Sequence, residues 1–326
     1  MFRSASIGGA VALVVAGCSI LAPRDPDLTP ISPTAVLETH MVHAGMQDFP
    51  ALESTTLSYT RANMQRTETS VKGSGPISQF LDVETNVRVE RLDRKLAWTL
   101  DAKNKRITEC PLKGCPASSP RKPTTKKSAG EDKPGDSACR LRIGNTVLTA
   151  ETTGQKRRIN GFETDQYEIK WLVTFRDNAS RKSTSTVSID LWTAPVTPAL
   201  EDAKALEQVY VRARDKVLGI DSDPERMGLL PPEVGRMISS YLSASVGPSD
   251  RANLLAGAKK PDKVKGQPIL TNVTWSFAGD ACSMGEAMKD IGDKPLFRFM
   301  SEVKSRKMVP LHDSLFVPPK GYKITK

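Results

Sequence analysis

The sequence predicts an α+β domain, an antiparallel sheet with helices packed on one face. Three observations carry this. Apolar and polar residues alternate with period two in five separate stretches, as in strands with one dry and one wet face, which belong to antiparallel rather than doubly buried parallel sheets. Turn-forming residues separate those stretches. Late in the chain, two segments switch to the spacing i, i+3, i+4, i+7 with a single apolar stripe each.

The first element is an address rather than a fold. Arg3 precedes the small, apolar run Ile7 to Ala16, shorter than the ~20 residues of a membrane helix and laid out as an export signal. Val15-Ala16-Gly17-Cys18 resembles the bacterial lipobox. That resemblance implies removal of residues 1–17, a diacylglycerol on the Cys18 thiol and an acylated new amino terminus. Three acyl chains make attachment effectively permanent, where a single one holds only marginally. A plain secretory signal with a chance cysteine is the alternative. Pro23, Arg24 and Asp25 close the apolar run too early for an uncleaved span. Ser19, not aspartate, follows the cysteine, which favours the outer membrane over inner-membrane retention.

Residues 18–50, with Pro23, Pro26, Pro30 and Pro33, read as a lipidated tether. A short helix is expected within it at 35–47. There His40 and His43 would share a face beside Met41 and Met46, and ordinary surface or packed residues are preferred over metal ligands.

A single domain over 51–326 follows. Leu81, Val83, Val87 and Val89 alternate with polar neighbours, among them Glu90, in the first clear strand. The pattern returns at Leu96, Trp98 and Leu100, at Tyr167, Ile169, Trp171, Val173 and Phe175, at Val187, Ile189 and Leu191, and at Val273, Trp275 and Phe277. "DAKNK" at 101–105 separates one strand from "RITEC", and "INGF" at 159–162 carries an Asn-Gly reversal. "GSG" at 73–75 reads as a hairpin turn rather than a phosphate loop. Residues 116–137 hold almost no apolar side chain and are expected as a flexible insertion. The two helices are placed at 198–218, with Pro198 in the first turn and Gly219 as a stop, and at about 232–242. Residues 247–268 read as a polar loop.

Beyond Cys18 the cysteines are Cys110, Cys115, Cys139 and Cys282, in a compartment that favours disulfides. Three pairings are open; Cys110 with Cys115 and Cys139 with Cys282 is preferred because the first two are near neighbours. Zinc is the competing assignment, against which stands the lack of a second matching knuckle.

"KLAWTLDAKNKRITECPL" at 95–112, "RRINGFETDQYEI" with "VSIDLWTAP" within 157–195, and "SLFVPPKGYKI" at 314–324 resemble, in that order, a family of exported bacterial domains of unknown function. That family is similar in architecture to the lipoprotein carriers LolA and LolB. The resemblance implies a curved, incomplete antiparallel half-barrel with two or three helices on its concave face, enclosing an apolar hollow. Trp98, Tyr167, Trp171, Phe175, Trp275 and Phe277 are the candidates to line it, with plain core packing as the bland alternative.

The formal charge of +10 falls to +9 when Arg3 leaves with the signal, which favours anionic headgroups or other envelope polyanions. Nucleic acid is not expected, since the charges are dispersed and no recognised motif appears. The chain has three histidines; His312 beside Asp313 reads as an exposed turn residue before a "SLFVPP" strand. No nucleophile beside a base, haem-attachment motif or other cofactor motif is found. The expected function is a lipid-anchored, non-enzymatic envelope protein that binds a lipid, acyl chain or lipoprotein. A scaffold with a filled core that docks another envelope protein is the alternative, and an anchored hydrolase the third.

Overall fold

A computed structural model describes residues 27–44, 51–74, 84–115, 142–219, 263–281 and 295–325. Cys18, Cys139, Cys282, the two ends of the tether (18–26 and 45–50), Leu81 and Val83, the insertion at 116–137 and the helix expected at 232–242 lie outside them. Among the described residues, twelve strands make one sheet. They are β1 (Ile31–Ala44), β2 (Ala51–Arg61), β3 (Met64–Ser74), β4 (Glu84–Arg91), β5 (Leu96–Asp101), β6 (Arg106–Pro111), β7 (Arg142–Ile159), β8 (Phe162–Arg176), β9 (Lys182–Ala194), β10 (Gln267–Gly279), β11 (Phe297–His312) and β12 (Lys323–Thr325). Their spatial order is β12-β6-β5-β4-β3-β2-β1-β11-β10-β9-β8-β7.

This corrects the expected fold class. The protein is mostly β, and the only α-helix among the described residues is α1 (Pro198–Leu218), not the two or three of an α+β domain. The sheet is mixed rather than wholly antiparallel, because β12 pairs with β6 in parallel. The excess of strand comes from segments without a clean apolar alternation. β7, for example, is exposed along most of its length and owes its strand to an extended ladder with β8.

Three local expectations also change. Residues 31–44, assigned to the tether with a helix at 35–47, form β1, paired with β11 on one side and β2 on the other. Pro33 is tolerated because β2 pairs β1 only from Ala35 onward, so its missing N–H falls in the lead-in. Gly73 and Ser74 end β3 instead of turning a hairpin. The "SLFVPP" segment opens with a 3-10 turn at Asp313–Phe316 rather than a strand.

The helix α1 has the boundaries its residues dictate. Thr197 caps it by accepting from the Leu200 amide, Pro198 stands in its first turn, and Gly219 ends it at φ 71°. The Asn-Gly reversal is also as expected, with Asn160 at φ 49° and Gly161 at φ 88° joining β7 to β8.

Because ladder partners project to the same side, the register carries each face across the sheet. One face holds the rows Tyr167–Leu191–Thr271–Ser301–Met41, Ile169–Ile189–Val273–Phe299–His43 and Trp171–Val187–Trp275–Phe297. Farther along that face, the row Cys110–Ala97–Glu90–Gln65–Thr60–Ala35 meets α1, where Tyr210 packs with Leu92, Ala97 and Leu112. The opposite face holds Trp98, Val89, Tyr59 and Val36 in one row. Phe316 of the 3-10 turn closes over that patch.

Candidate functional site

Five of the six candidate lining residues come together. Tyr167, Trp171, Phe175, Trp275 and Phe277 share one face and one cluster with Ile169, Val187, Leu191 and Phe299. Their side chains fall in register because β8, β9 and β10 pair without a shift from residue 167 to residue 175. Phe175 and Phe277 stack with centroids 6.2 Å apart. Trp98 does not belong with them. It lies on the other face, under Phe316, and its indole N–H donates to Glu109 Oε2 at 2.9 Å.

Most of this aromatic layer is packed. Trp171, Phe175 and Trp275 are 5%, 0% and 2% exposed, while Tyr167 and Phe277 are half-buried. The two indoles of the layer differ in their bonding. Trp275 Nε1 donates to Ser185 Oγ at 2.8 Å, whereas Trp171 Nε1 is buried with no acceptor. Trp192 Nε1 also lacks one, but it sits on the opposite face beneath the Arg157 guanidinium, 4.1 Å from the ring centroid.

A cleft of about 820 Å³ opens at the end of β7–β9, lined by Arg142, Ile143, Asn145, Thr174, Arg176 and Lys182 with the β8–β9 turn. Its main feature is a row of cations missed by sequence reading. Arg142 pairs with Arg176, and Arg176 pairs with Lys182, so three like charges stand on adjacent strands. None of them forms an ion pair among the described residues. The nearby carboxylate is engaged elsewhere: Asp177 accepts from the amides of Ala179 and Arg181 and from Arg181 Nε. No signal in the linear sequence brings residues 142, 176 and 182 together, because only strand register does so.

The cysteine preference is half answered. Cys110 and Cys115 are disulfide-bonded, with Cα atoms 4.7 Å apart, inside the usual span. Cys139 and Cys282 are outside the described residues. No group of three potential metal ligands occurs among the described residues. His40 and His43 fall on opposite faces of β1 because a strand, unlike a helix, separates residues three apart. His40 Nδ1 lies 3.4 Å from Thr55 Oγ1, and burial lowers the His43 pKa. His312 is half-buried, with Nδ1 2.9 Å from the Thr29 carbonyl oxygen, and Asp313 bonds Arg61. No helix among the described residues is long and apolar enough to cross a membrane.

Two acids sit between α1 and the sheet: Glu90 of β4, which is buried, and Glu207 of α1, which is half-buried. Glu90 accepts from Tyr210, Arg88 and Arg214. Burial alone would raise its pKa, but these donors lower it overall. Glu207 pairs with Arg306 at 3.2 Å, and there burial prevails and raises the pKa. Both carboxylates tie the helix to the sheet.

No family model matches the chain, and neither a curated protein nor a solved structure matches it.

Proposed function

We propose that this chain is a lipid-anchored, non-enzymatic protein of the bacterial outer membrane that binds the apolar part of a lipid or lipoprotein against the aromatic layer of β8–β10. Cys18 carries the anchor in this reading. The observation that supports ligand binding is the unpartnered Trp171 Nε1 inside an otherwise apolar layer. A buried donor without an acceptor costs about 1–3 kcal/mol, and an ester or amide carbonyl inserted into the layer would accept a hydrogen bond from it. The surrounding aromatic and aliphatic surface would supply affinity without direction, at roughly 25 cal/mol per Å² removed from water.

The test is native mass spectrometry of the mature chain, residues 18–326, carrying Cys18→Ser and purified from cell envelopes. A copurifying lipid mass, displaced by a fluorescent fatty acid, is the expected result. Protein that is empty and takes up no probe would end this reading.

A second reading, a scaffold with a filled core, is favoured by the near-complete burial of Trp171, Phe175 and Trp275. β7, 18 residues long and last in the sheet, offers that scaffold an edge for a partner strand. Crosslinking from membranes that recovers one stoichiometric partner, with no bound lipid, supports it.

A further inference from the structure

The structure assigns a second, polar binding site: we infer that the row Arg142–Arg176–Lys182 at the open end of β7–β9 binds a phosphate-bearing anion. Directly paired residues on adjacent strands stand about 4.5–5.5 Å apart, and like charges so placed repel. Here three occur in succession, and Asp177, the one carboxylate among the described residues that line the cleft, is held by the turn and by Arg181. Among the described residues, therefore, no carboxylate pairs with the row, and its charge stands at the wall of a cleft of about 820 Å³, ample for a phosphate group and its substituent.

Two of the three cations are arginines, whose planar fork suits phosphate oxygens in pairs. Thr174 and Ser180 bring hydroxyls to the same cleft, although the Thr174 hydroxyl already bridges Asn145. The site is independent of the apolar-ligand reading. Arg176 projects from the face opposite to its neighbour Phe175, so neither ligand requires the other.

The test titrates the mature chain carrying Cys18→Ser with inorganic phosphate at constant ionic strength, and with phosphatidylglycerol against phosphatidylcholine vesicles. The comparison is a variant with Arg142→Gln, Arg176→Gln and Lys182→Gln. A control carries Lys103→Gln, Lys113→Gln and Lys320→Gln, three exposed lysines elsewhere. Phosphate binding that weakens at least tenfold in the row variant but not in the control supports the site and marks a soluble phosphate compound as the source. Binding confined to phosphatidylglycerol vesicles, with the same variant pattern, supports it with a lipid headgroup as the source. Relief of repulsion leaves the row variant at least as resistant to heat as the parent, and Arg176→Gln alone serves if the triple change impairs folding. No binding to either probe, or equal loss in row variant and control, overturns the site.

Discussion

The Tyr210 hydroxyl donates to Glu90 Oε2 at 2.6 Å, and this bond fastens α1 to the C-terminal end of β4. Arg214 Nε reaches the same oxygen at 2.8 Å, and Arg88 Nε reaches the other at 2.9 Å. Glu90→Gln removes the charge all three donors face. The two arginines are part-exposed, so the loss falls below that of a fully buried pair, at about 1–3 kcal/mol. Tyr210→Phe loses one charge-assisted bond and costs about 1–2 kcal/mol. Urea unfolding of both variants measures this, and a loss under ~0.3 kcal/mol in Glu90→Gln would show that the cluster does not hold the helix.

The same cluster sets an acid limit. The folded pKa of Glu90 is lowered, so its contribution is present above the ordinary value of 4.5 and is lost as pH falls through the folded value. His43 adds to the trend from higher pH. Its folded pKa is lowered from 6.5, so below that value the unfolded chain takes up a proton that the fold resists. Stability should fall as pH drops below 6.5 through the His43 effect and fall further between pH 4.5 and ~3, and Glu90→Gln should flatten that second, more acid part. Asp27, brought down to about 2 by the Ser314 hydroxyl and then by Thr29, stays ionised throughout this range.

Trp171→Phe separates packing from binding. It removes a donor that has no acceptor in the protein and keeps most of the ring volume. The change should therefore cost under ~1 kcal/mol of stability, or nothing, while weakening uptake of a fatty-acid probe several-fold. Unaltered uptake would remove Trp171 from the proposed site.

The β7–β8 arm is held at its tip. Asn160 Nδ2 donates to Glu302 Oε1 at 2.7 Å and to the Val303 carbonyl at 2.9 Å, reaching β11 past β9 and β10. Asn160→Ala should cost about 1–2 kcal/mol, and the same residue loses an Asn preference for its positive φ. Hydrogen exchange should speed up at Ile159 and Phe162 ahead of the rest of the sheet. Uniform exchange would mean that the tip is not separately anchored.

Cys18→Ser tests the address. The expected result is a protein that is unlipidated and released from membranes; unchanged retention by a chain without acyl groups would remove the anchor.

What the residues alone make legible depends on how local the signal is. α1 is read to the residue because Pro198, its apolar stripe and Gly219 lie within one segment. β5, β8, β9 and β10 show their alternation in their own side chains. The grouping of Trp98 with Trp171 fails for a different reason: which face an odd or even position occupies is a private convention of each strand. Only the ladder from Trp98 through Val89, Arg66, Tyr59 and Val36 reveals that this indole points away from Met41 and hence from Trp171. Glu90 looks like a solvent-facing residue by alternation, yet both faces of β4 are covered, Val89 by Phe316 and Glu90 by Tyr210. β1 is misread because His40 and His43 suit a helix by spacing, whereas one of the two partners that make it a strand lies hundreds of residues away on β11.

That last pairing governs how the molecule is assembled. The earliest described strand joins nearly the latest, and among the described strands β11 alone pairs with both β1 and β10, closing the sheet between β1–β6 and β7–β10. Until synthesis has passed His312, β1 and β10 each present an unpaired seam inviting the wrong neighbour. A premature stop ahead of Phe297 should thus yield aggregating material rather than a smaller working protein, since the keystone arrives almost at the finish.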